Sequence, residues 1–498
     1  MRKWWICGFA FSLCLLAGRV LDADGSVGPS FAWALLGAAA LSPLVGWLCG
    51  WLSRRLCSVC PQMDRRHRSR FFALCTLAVF AAWLPALLGL YPGVFSYDVL
   101  AQVIQGGESP YMQNHPLLHT LLINALLSLG ERLGNINLGV AAYSVLQMML
   151  LALSIGYASS ALYAAGSPLW LCAAGVLCAM VLPCHGVLAV STTKDSLFAA
   201  GMLTLVVLLF ERRYRWSVVL AVLVCLLRNN GWYALAAAAV LGLLLCKGQA
   251  ARFAAVLTAG AVWFFAVNGM MASALDARGW NTREALSVPI QQMARVITLH
   301  PEWQDDADVQ ALFQGEVKYN PALSDPVKFV FRADGETPIS QVIRLWARML
   351  VRYPVEYTDA FAELTQGWWD VLDESHSVIY GEDDGYMHTN VLPGWNVERI
   401  PVVPALEEWY QKLLTQNAYR FIPGIRLLFA PAVWVWLLLF VLLAALIHKR
   451  YDVIQPMLIP FGLLLTMLLG PCCLVRYAYP IMLCAPVGLG MLCGKKQS

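Results

Sequence analysis

A few charged residues stand in short polar stretches between long apolar runs, and their side chains are of the kinds that carry chemistry. Ionisable groups next to hydrocarbon are costly, so those that persist are candidates for function. Carboxylates can accept a proton there, and grouped Lys and Arg side chains can bind and neutralise a phosphate. The sequence therefore predicts a site at one rim of the apolar region, formed by Asp98, Glu108, Lys194, Asp195, Arg228 and Arg476.

Asp98 ends the stretch Tyr91-Pro-Gly-Val-Phe-Ser-Tyr-Asp98, directly after an apolar run. We expect it to be the catalytic base, with a proton affinity raised by a partly desolvated cleft. The alternative is a helix start, in which Ser96 caps the helix and Asp98 favours its positive end. The sequence leaves both interpretations open.

Two imidazoles lie one helical turn apart in Asn114-His115-Pro116-Leu-Leu-His119. This spacing could hold a metal ion, but no third ligand lies nearby in the sequence. We therefore treat His115 and His119 as candidates for substrate binding, with a structural role as the alternative.

Further candidates for substrate binding lie where later apolar runs begin or end. They are Lys194, Asp195, Arg228, Asn229, Arg476 and Tyr477. Each has a structural alternative: a helix cap for Asp195, a snorkelling side chain for Lys194, or a polar turn at Arg228. Considered together, three cations near two carboxylates suit a phosphate-bearing lipid whose head group reacts beside a base.

Composition favours a membrane protein over a soluble one. The chain has 498 residues, of which 59% are hydrophobic and 13% are charged, and its mean hydropathy is +0.61. Soluble domains usually carry about 25% charged residues. Apolar runs long enough to cross a bilayer recur, so we expect an all-α polytopic membrane protein with about twelve transmembrane helices.

The apolar runs predict a topology, because Lys and Arg concentrate in cytoplasmic loops. This rule places both termini in the cytoplasm. The first run resembles a signal peptide but is expected to be a retained span, because residues 20–24 offer no clear small-residue cleavage site. The stretch from Pro116 to Leu133 is predicted to be an interfacial helix, since a crossing there would expose Arg212 and Arg213 outside. The expected spans are near residues 4–20, 30–52, 71–90, 137–160, 168–190, 195–211, 216–228, 231–246, 253–275, 428–447, 452–470 and 473–493.

The spans divide the chain into four regions. Residues 1–70 hold the N-terminal spans and a basic loop, and residues 71–275 hold a transmembrane core whose first outer loop is 91–136. An acidic, mostly helical extracytoplasmic domain is expected over 276–427, because most acidic residues lie there and no cysteine does. The C-terminal transmembrane helices occupy 428–498.

The order of these motifs resembles that of the GT-C superfamily, membrane glycosyltransferases that use polyprenyl-phosphate sugars. The resemblance is strongest over residues 70 to 275 and is to uncharacterised bacterial branches. It is carried by Ser96-Tyr97-Asp98, His115-Pro116-Leu117-Leu118-His119, Thr192-Thr193-Lys194-Asp195, the basic tip Arg228 to Gly231, and Arg476-Tyr477-Ala-Tyr-Pro480.

The resemblance implies roles for individual residues. Asp98 would be the catalytic base or a metal-associated carboxylate, and Lys194, Arg228 and Arg476 would contact the lipid phosphate. Asp98 lacks the adjacent acidic partner found in protein-mannosylating relatives. Metal dependence stays open, since Asp98 and Asp195 could share a divalent cation such as Mg²⁺ or Mn²⁺.

We therefore expect a glycosyltransferase in the bacterial cell membrane. It would move a sugar from a polyprenyl-phosphate donor to a hydroxyl of a cell-envelope acceptor at the outer face. No nucleic-acid partner is expected. The alternatives are a lipid or solute transporter or flippase, and a non-catalytic scaffold for assembly of the cell envelope.

Overall fold

The fold is known from a computed structural model. It describes residues 2–28, 30–58, 66–95, 97–107, 109–246, 248, 250–279, 285–332, 338–376, 397–414, 418–422 and 424–496. Helices dominate these residues, which form isolated bridges but no strand. The expected all-α fold is confirmed. Ser96 and Glu108 lie outside the described residues.

The first half of the chain is a series of helices joined by short connections. They are α1 (Arg2–Asp24), α2 (Phe31–Cys57), α3 (Arg68–Ala82), α4 (Leu84–Gly89), α5 (Tyr97–Val103), α6 (Leu117–Arg132), α7 (Ile136–Ala164), α8 (Leu169–Val181), α9 (Pro183–Ala189), α10 (Lys194–Phe210), α11 (Tyr214–Leu227), α12 (Gly231–Leu245) and α13 (Ala251–Ala274).

The second half contains shorter helices and then returns to long apolar ones. They are α14 (Ser287–Leu299), α15 (Ala307–Leu312), α16 (Asp325–Val330), α17 (Ile339–Arg352), α18 (Pro354–Thr365), α19 (Pro404–Leu414), α20 (Ile425–Phe429), α21 (Pro431–Ile447), α22 (Tyr451–Met467) and α23 (Val475–Cys493).

Several helices are long and apolar enough to cross a membrane. Six meet both conditions: α1, α2, α3 with α4, α7, α13 and α23. The pair α8 and α9, bent by 65°, would be a seventh, and α11, α12, α21 and α22 are apolar but shorter. The chain is therefore a helical membrane protein with six, or seven, candidate spans among the described helices, and the expected number of twelve stays a prediction.

The helix α10 connects two different polar ends of the bundle. At its C-terminal end, Glu211 accepts from Arg68 at 2.6 Å, from Arg213 at 3.1 Å and from the Tyr157 hydroxyl at 2.5 Å. Its N-terminal end begins at Lys194, about 25 Å away along the helix axis. The start of α3 and the turn after α10 therefore meet at one end of the bundle, opposite Lys194.

The C-terminal helices are joined by a buried ion pair. Arg450 donates to both carboxylate oxygens of Asp452, at 3.0 and 2.9 Å, and to the carbonyls of Met491 and Leu492 at 2.9 Å. The start of α22 is thereby fixed to the end of α23. Arg476 lies in the first turn of α23. The contacts of Arg450 therefore also fix the orientation of the helix that carries Arg476.

The helices that follow α13, mainly α14, α15, α17 and α18, share a separate hydrophobic core, and we call this part of the chain the domain after α13. It contacts the chain between α1 and α2 through polar bonds. Arg295 donates to the Gly25 carbonyl at 2.6 Å, and the Val27 amide donates to Asp359 at 3.0 Å. Arg295 also pairs with Asp359 and Glu363. The domain is thus held by packing and ion pairs.

Gly139 lets α7 cross close to α6, which carries the His-Pro segment. A Cβ atom at this position would overlap the backbone carbonyl of Leu126, and the backbone cannot move away cheaply. We expect Gly139→Ala to destabilise the protein by about 1–3 kcal/mol, the usual cost of overpacking. Gly175→Ala in α8 is the matched control, because a Cβ there meets nothing within 4 Å.

The measurement is thermal unfolding of the purified full chain in detergent. Gly175→Ala should match or exceed the wild-type stability, because alanine favours a helix. Equal midpoints for the two variants would show that the α6–α7 crossing does not depend on Gly139.

Candidate functional site

Asp98 and Lys194 form an ion pair between two separate segments. Asp98 lies in the first turn of α5, and Lys194 begins α10. Lys194 Nζ lies 2.6 Å from Asp98 Oδ2 and 3.5 Å from His115 Nδ1. The Asp98 side chain keeps 22% of its surface exposed, so this pair stands at the edge of the packed bundle.

Asp195 and Arg228 form a second pair, which is buried. Asp195 is fully buried, and its Oδ1 accepts from Nη1 of Arg228, the residue that ends α11. The Thr193 hydroxyl donates to Asp195 Oδ2 at 3.1 Å. Thr193 rather than Asp195 caps α10, so the capping role considered for Asp195 is wrong. The Asp195 carboxylate forms an ion pair with Arg228 instead.

Arg476 connects the two pairs. Its Nη1 lies 3.7 Å from Asp98 Oδ2 and 3.8 Å from Asp195 Oδ2. Its Nη2 donates to the Tyr477 hydroxyl at 3.1 Å. The guanidinium groups of Arg476 and Arg228 both lie against the Tyr477 ring, 4.7 and 4.9 Å from its centroid.

These contacts unite five ionisable residues, which we call the charged cluster: Asp98, Lys194, Asp195, Arg228 and Arg476. They come from four segments of the chain. With the carboxylates ionised, three cations face two anions, a net charge of +1. A site of this charge, beside a partly exposed carboxylate, is suited to an anionic group such as a phosphate diester.

Backbone and amide bonds hold the segments of the cluster together. The Val94 amide donates to the Val190 carbonyl at 3.0 Å, and the Thr192 amide donates to the Val94 carbonyl at 2.8 Å. Gln147 of α7 donates to the Ser191 carbonyl at 2.7 Å. The loop before Asp98 is thus tied to the segment that precedes Lys194.

The charges around Asp98 determine its protonation. Burial raises the pKa of this carboxyl, but Lys194, Arg476 and His115 outweigh burial and bring the pKa well below its usual range. The expectation of a raised proton affinity is therefore wrong for the free protein. The sequence could show a desolvated position but not that two cations lie on the same carboxylate oxygen.

His119 lies outside the charged cluster and has a structural role. It is fully buried, with Nδ1 2.8 Å from Gln102 Oε1 and Nε2 2.8 Å from the Tyr143 hydroxyl. Asn229 also has a structural role, because its side-chain amide donates to the carbonyls of Gln113 and Asn114 at 2.8 and 3.1 Å. It holds the loop that presents His115 to Lys194.

Burial and the nearby Lys194 charge lower the pKa of His119 from 6.5 to about 3. Between these values the unfolded chain binds a proton that the folded protein excludes. The stabilisation is present above pH 6.5 and is lost as the pH falls towards 3. We therefore expect the thermal midpoint to fall on acidification, and to fall less steeply in His119→Gln.

The measurement is the thermal midpoint of the purified full chain at a series of pH values from 7 to about 4. Gly175→Ala, which changes no titratable group, serves as the control and should keep the wild-type slope. A slope that is unchanged in His119→Gln would assign the acid sensitivity to other groups.

The structure adds polar residues that sequence reasoning missed. Tyr143 and Gln147 stand in the apolar helix α7, and a polar pair four residues apart was the available signal. A second group had no signal in the sequence. The Ser324 amide donates to the Pro471 carbonyl at 2.9 Å, and the buried Lys328 lies with Arg476 and Arg228 in electrostatic range of Cys472. The domain after α13 therefore borders the charged cluster.

A shared divalent cation does not fit the two carboxylates. Arg476 already lies between Asp98 and Asp195, and Lys194 and Arg228 add further positive charge at the same two carboxylates. A metal ion there would have to displace these cations and overcome their repulsion. Across the described parts of the chain, no cluster of three or more His, Cys, Asp or Glu side chains is arranged for a metal.

Two concavities lie apart from the charged cluster. One, of about 650 Å³, is in the domain after α13 and includes Gln310 and Arg332. The other, of about 220 Å³, is apolar and lies between α7, α8, α21 and α23. We therefore identify the candidate site by the charged side chains that converge in the cluster, and not by the volume of a cavity.

Comparison with known proteins places the chain in a family. The family that matches residues 107–498 is described as a family of unknown function, DUF6020, and the chain belongs to it. The matched region contains all of the candidate residues except Asp98, which precedes it. No curated protein and no solved structure matches the chain.

Proposed function

We propose that this DUF6020 protein is a membrane glycosyltransferase of the GT-C type. It moves a sugar from a polyprenyl-phosphate donor to a hydroxyl of a cell-envelope acceptor at the outer face of a bacterial membrane. Twelve spans and cytoplasmic termini complete the proposal. The Glu211 end of α10 then lies in the cytoplasm, and the charged cluster lies outside.

One observation carries the proposal: three cations and two carboxylates meet at one end of the helical bundle. Such a group is costly next to hydrocarbon and is kept where it acts on a charged ligand. Its net charge of +1 matches the single negative charge of a phosphodiester. Its cations can also stabilise the second charge that appears when the sugar leaves.

The residues divide the reaction between them. Lys194 and Arg476 contact the donor phosphate, while Asp195 holds Arg228 in place. The bond between the anomeric carbon and the phosphate oxygen breaks, and its electron pair stays on the phosphate. The acceptor oxygen bonds to the anomeric carbon, and its proton passes to Asp98.

The low proton affinity of free Asp98 fits this order of events. A bound phosphate attracts Lys194 and Arg476, which are the groups that stabilise the Asp98 carboxylate. As these cations turn to the donor, Asp98 becomes a better proton acceptor. The base is therefore activated when the donor is present.

The position of the cluster supports an enzyme over a transporter. A translocation path places charges near the bilayer midplane, between repeats that rock about it. Here the charges stand at the end of α10, about 25 Å from the polar group around Glu211. A scaffold would not require five ionisable residues from separate segments to converge.

The test is turnover by the reconstituted full chain with a panel of radiolabelled polyprenyl-phosphate sugars. We expect the wild type to release polyprenyl phosphate, and Lys194→Met to lose about 100-fold in rate, as for loss of one electrostatic contact. Lys412→Met is the matched control, because Lys412 is an exposed lysine of α19.

Two results would contradict the proposal. Absence of turnover with every donor would exclude this chemistry. Appearance of the unchanged donor on the opposite side of sealed vesicles would indicate transport instead.

A further inference from the structure

The domain after α13 contains a groove that the charged cluster does not use. Its volume is about 650 Å³, within the range of small-molecule sites. The floor is apolar, with Val309, Phe313 and Val317 buried beneath it. The groove opens between α15 and the turn that follows it.

The rim of the groove is polar and nearly neutral. Three amide side chains, Gln304, Gln310 and Gln314, are exposed there. One anion, Glu316, and one cation, Arg332, also line the rim, and Lys318 lies 3.4 Å from Glu316 beside it. Amides supply both donors and acceptors, and Arg and Glu each bind pairs of hydroxyls in a fork. An apolar floor under such a rim matches a sugar ring, which has polar edges and apolar C–H faces.

The short helix α16 connects the groove to the charged cluster. Its N-terminal end follows Ser324, whose amide bonds to Pro471, and Leu323 forms a bridge with Cys472. Its C-terminal end leads into Phe331, which pairs with Phe313 at the groove floor. Six helical residues span about 9 Å, so the groove floor and the Pro471–Cys472 segment, which precedes Arg476 of the cluster, lie at opposite ends of α16.

We propose that this groove binds a neutral oligosaccharide, which is the acceptor of the transferred sugar. The proposal that a glycan binds is supported by the residues of the groove alone, whereas the acceptor role rests on the proposed glycosyltransferase function. A glycan of a few units that runs from the groove along α16 ends at the segment before Arg476. The domain thereby selects the acceptor, and the membrane helices supply the donor site.

The test is saturation-transfer NMR on the full chain in nanodiscs. The probes are neutral trisaccharides of glucose, mannose and N-acetylglucosamine, with triglycine as the peptide comparator. We expect transfer to at least one trisaccharide and at least a fivefold weaker affinity in the Gln310→Ala/Arg332→Ala variant. The Gln341→Ala/Arg344→Ala variant, on α17 outside the groove, is the matched control.

The outcomes separate the two proposals. Loss of binding in the groove variant, with the control unchanged and both variants folded by circular dichroism, supports the groove whether or not turnover is seen. Failure of all three trisaccharides, equal affinity in both variants, or binding of triglycine instead would overturn the glycan assignment. Donor turnover without any glycan binding would leave the transferase intact and place the acceptor elsewhere.

Discussion

Asp98→Asn is expected to lower the rate of sugar transfer by at least about 100-fold, the contribution of general base catalysis. Asparagine keeps the shape of the side chain but cannot take the acceptor's proton. The same change removes the charge that pairs with Lys194 and Arg476, so the donor phosphate should bind as tightly or more tightly. The expected signature is a fall in kcat without a rise in KM.

Asp98→Glu is the control, because it retains a carboxylate and should keep part of the activity. Both variants are compared in reconstituted protein with the donor that the wild type uses best, at equal thermal stability. A rise in KM at an unchanged kcat would assign Asp98 to binding or structure. An unchanged rate would move the base to another residue.

Asp195→Ala is expected to destabilise the protein by about 3–5 kcal/mol, the cost of leaving one partner of a buried ion pair. Asp195 is fully buried and is the carboxylate that holds Arg228. Without it, the Arg228 guanidinium stays in a low-dielectric position with less opposing charge. Arg476 also loses one of its two carboxylate contacts. Thermal unfolding in detergent measures the loss.

The double variant Asp195→Ala/Arg228→Met separates the pair from its surroundings. The double variant has apolar side chains in place of both charges. Such a replacement of a buried ion pair changes the free energy of unfolding little. We expect the double variant to regain most of the stability that the single variant loses, while transfer activity stays low. A double variant as unstable as the single one would show that Arg228 is not the partner that matters.

The sequence was sufficient to single out charged residues that the structure brings together at one end of the helical bundle. Hydropathy marks the apolar runs, and a cation or carboxylate between them stands out because few are present. Lys194, Arg228 and Arg476 could be singled out in this way. Each later proves to lie at the end or in the first turn of a helix.

The sequence could not predict how these residues pair. Asp98 was expected to be the base and Asp195 a substrate contact or helix cap, but the sequence did not show that Asp98 is partly exposed and bound by Lys194, or that Asp195 is buried and bound by Arg228. Pairing depends on how the helices cross, which rests on close contacts such as the one at Gly139. Periodicity within one helix carries no information about such crossings.

The contacts of the domain after α13 could not be predicted from the sequence either. Its acidic composition predicts exposure to water, but not that its segment at Ser324 packs on Pro471 beside the charged cluster. Contacts between residues nearly 150 positions apart come from the packing of whole elements. The sequence alone therefore gave no reason to place the buried Lys328 near Arg476.

The most direct test of the charged cluster is an experimental structure of the full chain with polyprenyl phosphate bound in nanodiscs. The account predicts the phosphate within hydrogen-bond distance of Lys194 and Arg476, with both cations turned away from Asp98 and the Asp195–Arg228 pair intact. A phosphate bound elsewhere, with Lys194 and Arg476 still on Asp98, would contradict it.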